Sequence, residues 1–359
     1  MTTMTVRAAR LVARGDPLRV EEVPLAGRLP AEALRSAKAA AATAPEGGTP
    51  EGGAPEGGTP EGGTPEGGTP GDEVVVEMSY AGVNPIDRYI VLGRVAPDAP
   101  LPRTVGVEGV GTVDGRLVVV HGTGVATSRE GLWATAARVP LEATVGVPDG
   151  VDPQSAAAVG VAGATAWRTV HDLAQVRSDD RVLVMGASGG VGSMIVSLLR
   201  SSGALVWGQT GQERKRDAIM ASGAARAVVV GTPAGLGDAV RELRPTVIFD
   251  PLGGGFTGAA VDALETRGRL AIFGASADTH GSVPLQSLYR KGLRVLGYGA
   301  RSEPAESVHQ AIRHALEAVR DGQLNVAVDE VMPLDAVNDA MARLARRDVE
   351  GKLLLCLSR

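Results

Sequence analysis

The sequence predicts an α/β protein in which a doubly wound parallel sheet follows a smaller unit of short strands. Three observations lead to this prediction. From Asp180 onward, short apolar runs alternate with segments of helical length. The first of these runs leads directly into a glycine-rich turn. Residues 72–148 contain short Val-rich runs with frequent Gly, a pattern that indicates a compact β-barrel-like unit.

Six predicted strands form the parallel sheet, within residues 158–298. In order they are RVLVMGA, ALVWGQT, RAVVV, TVIFDP, GRLAIFG and LRVLGYG, with helices predicted between them. Before the sheet, residues 153–174 are a predicted helical stretch of small residues that suits close packing. After it we expect a helix in ESVHQAIRHALEAVRDG, a short strand around VDEVMPL, a helix in DAVNDAMARLARR and a final strand GKLLLCL.

Composition excludes several classes of protein. The chain has 359 residues, 44% of them apolar, which allows about two domains with cores of their own. No apolar run approaches the roughly 20 residues of a membrane-crossing helix, and the first residues lack a signal-peptide core. We therefore expect a soluble cytoplasmic protein with no membrane partner. No basic stripe is present, so we expect no nucleic-acid partner. One cysteine, Cys356, and five scattered histidines predict no metal site.

Residues 46–70 form a low-complexity tract of five EGGTP-like pentapeptides. Its five Glu account for the net charge of −5, because 36 basic and 41 − 5 = 36 acidic residues remain without it. Gly-Gly pairs and prolines disfavour both helix and strand. We predict a disordered insertion over about residues 26–70. We prefer an expanded loop between two strands, which costs little free energy; the alternative is an arm that binds or tethers a partner.

The glycine-rich turn GASGGVG is the strongest functional signal. It follows the first strand of the parallel sheet and opens a helix. Glycines allow a tight turn and a close approach to a pyrophosphate, which the helix N-terminus attracts. The predicted cofactor-binding residues here are Gly186, Ser188, Gly189, Gly190, Val191 and Gly192. An ordinary strand–helix turn is the alternative, but the position after strand one of six favours a dinucleotide site.

The end of the second predicted strand indicates which dinucleotide is bound. NAD-binding folds commonly carry an acid there for the ribose hydroxyls, whereas this strand ends in Thr210 and Gly211. Arg214 and Lys215 follow at once, and cations would pair with a 2′-phosphate that a carboxylate would repel. We therefore predict NADPH as the cofactor. The alternative is a solvated basic helix start whose charge Glu213 partly offsets.

Four segments resemble the medium-chain dehydrogenase/reductase superfamily, and within it the zinc-independent quinone oxidoreductase-like branch. They are YAGVNPIDRYIVLGR, GVEGVGTV, GASGGVG and EGKLLL. The resemblance covers nearly the whole chain except about residues 26–70. It implies a GroES-like β-barrel catalytic domain over residues 1–157, a doubly wound Rossmann cofactor-binding domain over 158–298, and a return to the catalytic domain over 299–359.

The resemblance also allows the zinc-dependent branch to be tested residue by residue. That branch would have Cys at Asn84, His at Val107 and a further Cys around Val161, and it carries a four-Cys structural lobe that this chain lacks. Without a Lewis acid, this chain has no evident means to polarise an alcohol. The expected reaction is instead hydride delivery to an electron-poor carbon.

Further site residues come from the same resemblance. It implies that Asn84 and Tyr89 lie near the nicotinamide and substrate as catalytic residues, with Tyr89 a candidate proton donor. It implies that Thr165 lines the nicotinamide, and we expect Lys352 on the cofactor side of the cleft. Phe273 and Gly274 end the fifth strand, at the edge where open α/β sheets bind ligands. The first four of these residues each have a structural alternative: a turn asparagine, a core or rim tyrosine, a packing threonine and a solvated lysine.

Three functions remain open. The first is an NADPH-dependent reductase of a quinone or an α,β-unsaturated carbonyl. The second is a reductase of an enoyl thioester or a biosynthetic intermediate, which the absence of tyrosine from residues 92–96 disfavours. The third is an NADPH-binding sensor or interaction protein. The family resemblance also implies a homodimer joined through LRVLGYG as an edge strand.

Overall fold

The computed structural model describes residues 4–25 and 72–358. The predicted insertion over about residues 26–70 lies outside the described residues. The predicted domain boundaries at residues 157 and 298 stay a prediction.

Strands dominate the first half of the described chain and alternate with helices in the second. They are β1 (Thr5–Leu11), β2 (Arg19–Pro24), β3 (Glu73–Val83), β4 (Arg103–Thr104), β5 (Glu108–Val113), β6 (Arg116–His121), β7 (Ala136–Pro140), β8 (Thr144–Gly146), β9 (Arg181–Val184), β10 (Leu205–Thr210), β11 (Arg226–Val229), β12 (Val247–Asp250), β13 (Arg269–Ile272), β14 (Arg294–Gly297), β15 (Val328–Pro333) and β16 (Lys352–Cys356).

The α-helices of the described chain are mostly short. They are α1 (Pro85–Val91), α2 (Pro153–Ala158), α3 (Ala164–Trp167), α4 (Gly190–Leu199), α5 (Arg216–Ala221), α6 (Leu236–Ala239), α7 (Gly254–Ala263), α8 (Leu285–Arg290), α9 (Ala305–Arg320) and α10 (Val337–Ala345). Two π-helical segments, Val159–Gly163 and Arg168–Leu173, interrupt the predicted helical stretch on either side of α3. The predicted second helix is a 3₁₀ turn, Glu213–Lys215, followed by α5.

The predicted doubly wound sheet is confirmed. Six parallel strands lie in the order β11-β10-β9-β12-β13-β14, so the chain runs outward from β9 in one direction and then in the other. The reversal falls between β9 and β12, and the carboxyl edge at such a switch point is where open α/β sheets bind ligands. The glycine-rich turn follows β9 and therefore lies at this crevice.

The predicted β-barrel-like unit is a second, mainly antiparallel sheet. Its strands lie in the order β15-β16-β3-β5-β6-β8, and β7 pairs with β3. The final strand, β16, pairs with β3 across a large sequence separation, so the chain end returns to this unit. A three-stranded sheet, β2-β1-β4, completes it. The α/β class with a barrel-like unit and a parallel sheet is thus confirmed.

Three buried clusters hold these layers together. One fills the interior of the barrel-like unit around Trp133, and one covers one face of the parallel sheet around Phe256. The third joins the other face of the parallel sheet to residues 153–174 and to α9. Small residues of that stretch pack closely on both units, which brings the two sheets together at the crevice.

Candidate functional site

The glycine-rich turn has a geometry that glycine alone satisfies at two positions. Gly186 has a φ of +60°, in the left-handed region that residues with a Cβ rarely adopt. A Cβ on Gly192 would lie 2.4 Å from the carbonyl oxygen of Gly186. The turn closes with a hydrogen bond from Gly189 N–H to that same oxygen at 3.0 Å, and α4 begins at Gly190. Its free backbone amides and the positive helix end fit a pyrophosphate.

A buried glutamine braces this turn. The Gln209 side chain accepts a hydrogen bond from Gly186 N–H at 3.0 Å and donates to the Val230 carbonyl at 2.6 Å. Ala187 N–H donates to the Gln209 backbone oxygen. Gln209 therefore links the carboxyl ends of β9, β10 and β11 next to the turn. Sequence reasoning missed Gln209, although a polar residue within an otherwise apolar strand is a signal that could have found it.

The end of β10 carries no carboxylate, as the sequence predicts. Thr210 is buried and Gly211 follows it. The first acid is Glu213, whose carboxylate pairs with Arg216 at 2.8 Å. The ribose position of this fold therefore faces no acid from residues 210–212, which fits a dinucleotide bearing a 2′-phosphate.

The two cations predicted for that phosphate lie in different surroundings. Lys215 is buried, and its ammonium donates to the carbonyls of Arg347 at 2.8 Å and Val349 at 2.6 Å. Burial lowers the pKa of Lys215 below its usual value. Arg214 is half-exposed and pairs with Asp348 and Glu350. Lys215 thus anchors the chain before β16, while Arg214 faces outward.

A buried polar cluster joins the barrel-like unit to the end of the chain. The Lys352 ammonium lies 2.6 Å from Glu108 Oε1 and 2.6 Å from Asn84 Oδ1. The Asn84 amide nitrogen donates to Glu108 Oε1 at 2.7 Å, and Val161 N–H donates to Glu108 Oε2 at 2.5 Å. Both partners of the ion pair are almost wholly inaccessible to solvent. The structure therefore brings together two predicted site residues, Asn84 and Lys352, around a carboxylate that sequence reasoning did not assign.

A second carboxylate lies beside this cluster. Asp87 Oδ2 accepts from Asn84 N–H at 2.8 Å, and Asp87 Oδ1 accepts from Val107 N–H at 3.0 Å. Burial, reinforced by the charge of Glu108, raises the pKa of Asp87 to about 7. His121 is the cross-strand neighbour of Glu108, and its Nδ1 lies 3.0 Å from the Val107 carbonyl. Burial lowers the pKa of His121, which favours a neutral imidazole.

Glycines from three elements leave room for the ion pair. A Cβ on Gly82 of β3 would lie 2.1 Å from Glu108 Oε1, and one on Gly160 would lie 2.9 Å from Glu108 Oε2. A Cβ on Gly190, in the nucleotide turn, would lie 2.8 Å from the Lys352 side chain. Lys352 therefore runs directly beside the predicted cofactor turn, and its ammonium is bonded to Glu108 and Asn84.

The remaining predicted residues lie on α1, in the helical stretch before the parallel sheet and directly after β13. Asn84 precedes α1, and Tyr89, which is half-buried, lies on that helix. The Thr165 hydroxyl donates to the Val161 carbonyl at 2.7 Å, one turn back in the helical stretch. Phe273 and Gly274 directly follow β13, and Phe273 N–H bonds to Asp250 O at 3.1 Å. The polar cluster bonds to Asn84 and not to the Tyr89 hydroxyl, so the catalytic role of Tyr89 stays a prediction.

Two family models match the chain. The model described as "Alcohol dehydrogenase GroES-like domain" matches residues 70–149, and the one described as "Zinc-binding dehydrogenase" matches residues 190–318. Within the described residues, however, no group of three or more His, Cys, Asp or Glu is arranged to hold a metal ion.

Three curated relatives are 26–29% identical to this chain over the aligned residues. Rat "Synaptic vesicle membrane protein VAT-1 homolog" is 26% identical, covering 79% of this chain and 76% of its own. Bovine "Prostaglandin reductase-3" is 29% identical over 72% of each chain, and bovine "Quinone oxidoreductase-like protein 2" is 28% identical over 79% of this chain and 85% of its own. No helix in the part of the chain that the structure describes is long and apolar enough to cross a membrane.

Solved structures share the fold. The crystal structure of an NAD-dependent alcohol dehydrogenase has a TM-score of 0.78 at 25% identity, covering 98% of this chain and 100% of its own. The quinone oxidoreductase of Thermus thermophilus, solved also with NADPH, has a TM-score of 0.73 at 24% identity, with the same coverage.

Proposed function

The chain belongs to the medium-chain dehydrogenase/reductase family, and we propose that it is an NADPH-dependent, zinc-independent oxidoreductase acting on a quinone or an α,β-unsaturated carbonyl. One observation carries this proposal. The three positions that hold zinc ligands in the zinc-dependent branch are Asn84, Val107 and Val161 here, and their polar groups bond to Glu108, Asp87 and Lys352. An internal ion pair fills the surroundings in which that branch places its metal.

The choice of NADPH rests on this chain's own residues. No acid stands at residues 210–212, Arg214 follows, and the glycine turn has the geometry that a pyrophosphate needs. The structural neighbours differ in their cofactor, since one is named an NAD-dependent alcohol dehydrogenase and another was solved in complex with NADPH. NADPH, when bound, supplies the hydride.

The protein's part in the reaction is binding, orientation and control of charge. Backbone amides at the start of α4 would hold the diphosphate, because those of Gly186, Ala187 and Gly189 are bonded to protein acceptors. In this arrangement Thr165, Phe273 and Gly274 border the nicotinamide. Asn84 is fixed in one orientation because Lys352 and Glu108 occupy its amide oxygen and one amide N–H. Its second N–H and the Tyr89 hydroxyl are the groups available to an acceptor oxygen on which negative charge develops.

Consumption of NADPH, followed by its absorbance, tests the proposal. The acceptors are an ortho-quinone, a para-quinone, a simple enone and a crotonyl thioester, with NADH in parallel. Turnover of a quinone or the enone supports the proposal. Turnover of the thioester alone supports the second candidate, a reductase of enoyl thioesters or a biosynthetic intermediate. Similarity to part of a mycocerosic acid synthase-like polyketide synthase of Mycobacterium tuberculosis also favours this candidate. Tight NADPH binding without any turnover would favour the sensor.

A homodimer is the proposed assembly. β14 ends the parallel sheet, and an edge strand has unpaired backbone groups that a second copy can complete. Val295 of this strand and Leu285 and Tyr289 of the adjacent α8 are large apolar side chains exposed beside that edge. Size-exclusion chromatography with light scattering tests it, and a monomer at micromolar concentration would contradict it. The cytoplasm stays our predicted location.

A further inference from the structure

Residues 347–352 form a strap that runs along the whole predicted cofactor crevice. The Arg347 guanidinium donates to the Ser276 carbonyl at 2.6 Å, beyond β13. Gly351 N–H donates to the Ser188 carbonyl at 2.8 Å, in the glycine turn. Lys352 then enters the buried cluster with Glu108. The strap is therefore attached to the crevice at several points, and its side chains are held against the cofactor-binding elements.

The strap is also fixed beside the end of β10. Lys215 donates to two strap carbonyls from a buried position, so its ammonium serves as an anchor. Of the three cations that follow β10, Lys215 is buried and Arg216 pairs with Glu213 of its own turn, whereas the Arg214 side chain is 50% exposed beside the strap. Arg214 is consequently the principal group left to receive a 2′-phosphate there.

Two strap carboxylates already hold that arginine. Arg214 Nη2 lies 2.7 Å from Asp348 Oδ1, and Arg214 Nη1 lies 3.1 Å from Glu350 Oε1. One positive charge therefore faces two negative charges, and the three groups together carry a net charge of −1. A dianionic phosphate approaching Arg214 must compete with these carboxylates and is repelled by both.

We infer that Asp348 and Glu350 reduce the preference for NADPH over NADH by competing with the 2′-phosphate for Arg214. This inference rests on the proposed cofactor and deepens it. Guanidinium offers five N–H donors, of which these two ion pairs use one each, so Arg214 can share its donors with a phosphate. The two carboxylates then lower the affinity for NADPH without preventing its binding. NADH, which lacks the phosphate, does not compete with them for Arg214.

Binding measurements on charge-neutral variants test this inference. Dissociation constants for NADPH and NADH are measured by fluorescence titration, and those for 2′,5′-ADP and 5′-AMP by calorimetry, so no turnover is needed. Asp348→Asn and Glu350→Gln should each tighten NADPH binding by about two- to fivefold, the strength of an exposed ion pair. The double variant should tighten NADPH and 2′,5′-ADP by about tenfold and leave NADH and 5′-AMP within twofold.

A matched control removes two negative charges from carboxylates outside the strap. Asp335 and Glu306 pair with Arg7 and Arg313, away from the strap, so Glu306→Gln/Asp335→Asn should change neither dinucleotide affinity. In an Arg214→Gln background, the strap double variant should lose most of its effect on NADPH, because the contested cation is gone.

Several outcomes would overturn the inference. Weaker NADPH binding in the strap variants would mean that the carboxylates hold Arg214 in place for the phosphate. Equal tightening of NADPH and NADH, or no change in either, would remove competition as the mechanism while leaving the proposed function intact. Failure of the unaltered protein to bind either dinucleotide would overturn the proposed function and this inference together.

Discussion

The ammonium of Lys352 lies 2.6 Å from Oε1 of Glu108, although 244 residues separate them in the chain. Their side chains are 3% and 0% exposed, so both charges are removed from water. Desolvation of two charges costs as much as their attraction returns unless hydrogen bonds satisfy the remaining groups. Here Asn84 and Val161 N–H supply those bonds. The pair joins the last residue of the strap to β5, and Lys352 also bonds to Asn84, which precedes α1.

We expect removal of either charge alone to destabilise the folded protein far more than removal of both charges. Lys352→Met and Glu108→Gln each leave one buried unpaired group, so each should lower the free energy of unfolding by about 3–5 kcal/mol. Glu108→Gln/Lys352→Met removes both charges of the pair and should recover most of that loss. If the pair positions Asn84, the double variant should bind NADPH with normal affinity but should turn over slowly. Denaturant unfolding and steady-state kinetics measure the two properties separately.

An exposed pair is the control for this experiment. Arg7 and Asp335 approach to 2.6 Å with exposed side chains, so Arg7→Met should cost less than about 1 kcal/mol. A double variant of the buried pair with normal turnover would mean that the pair contributes to stability alone.

The glycine turn gives a second prediction. Gly192→Ala places a Cβ 2.4 Å from the Gly186 carbonyl oxygen, a backbone atom that moves only if the turn opens. We expect NADPH affinity to fall at least tenfold, since the amides of the turn lose their arrangement. Gly237→Ala in α6 is the matched control, because nothing lies within 4 Å of the added Cβ, and it should leave affinity unchanged. Fluorescence titration measures both; retention of full affinity by Gly192→Ala would contradict the assigned role of the turn.

The parallel sheet was predictable from sequence because its signals are local. Each strand is a short apolar run, and the position of the glycine turn after β9 follows from its place in that series. Helix lengths were less predictable: α6 spans only Leu236–Ala239, a small part of the segment between the third and fourth strands of the sheet. Gly235 and Gly237 within this segment lower its helix propensity.

The candidate site was predictable in part. The sequence indicated Asn84 and Lys352, but their meeting around Glu108 depends on the pairing of β16 with β3, which no local pattern encodes. Arg214 and Lys215 are adjacent in sequence and equal in charge, so their separation into an outward cation and a buried anchor follows only from the path of the strap. Glu108 was visible as a single acid among glycines and valines.

Tyr89→Phe tests the source of the proton. If the Tyr89 hydroxyl donates to the acceptor, its removal should lower kcat by about 100-fold, the usual size of a general-acid contribution. NADPH affinity should not change, because the variant keeps the ring and removes only the hydroxyl. Steady-state kinetics with the preferred acceptor and an NADPH titration measure both properties. Full activity would show that the hydroxyl is not the donor and that water supplies the proton.

The carboxyl group of Asp87 predicts how stability depends on pH. Burial raises its pKa from 3.8 to about 7, so the folded protein favours the protonated form and the unfolded chain does not. Between these values the folded state binds more protons than the unfolded state, and stability falls as pH rises. The contribution of the protonated Asp87 carboxyl to the free energy of unfolding, up to about 4 kcal/mol, is fully present below about pH 4 and is lost as pH rises to about 7.

Asp87→Asn cannot ionise, so urea unfolding at pH 5 and pH 8 should show a smaller loss of stability in this variant than in the unaltered protein. The exposed Asp98→Asn should follow the unaltered protein at both values. Parallel losses in all three proteins would contradict the raised pKa and would mean that the hydrogen bonds from Asn84 and Val107 keep the carboxylate ionised in the folded state.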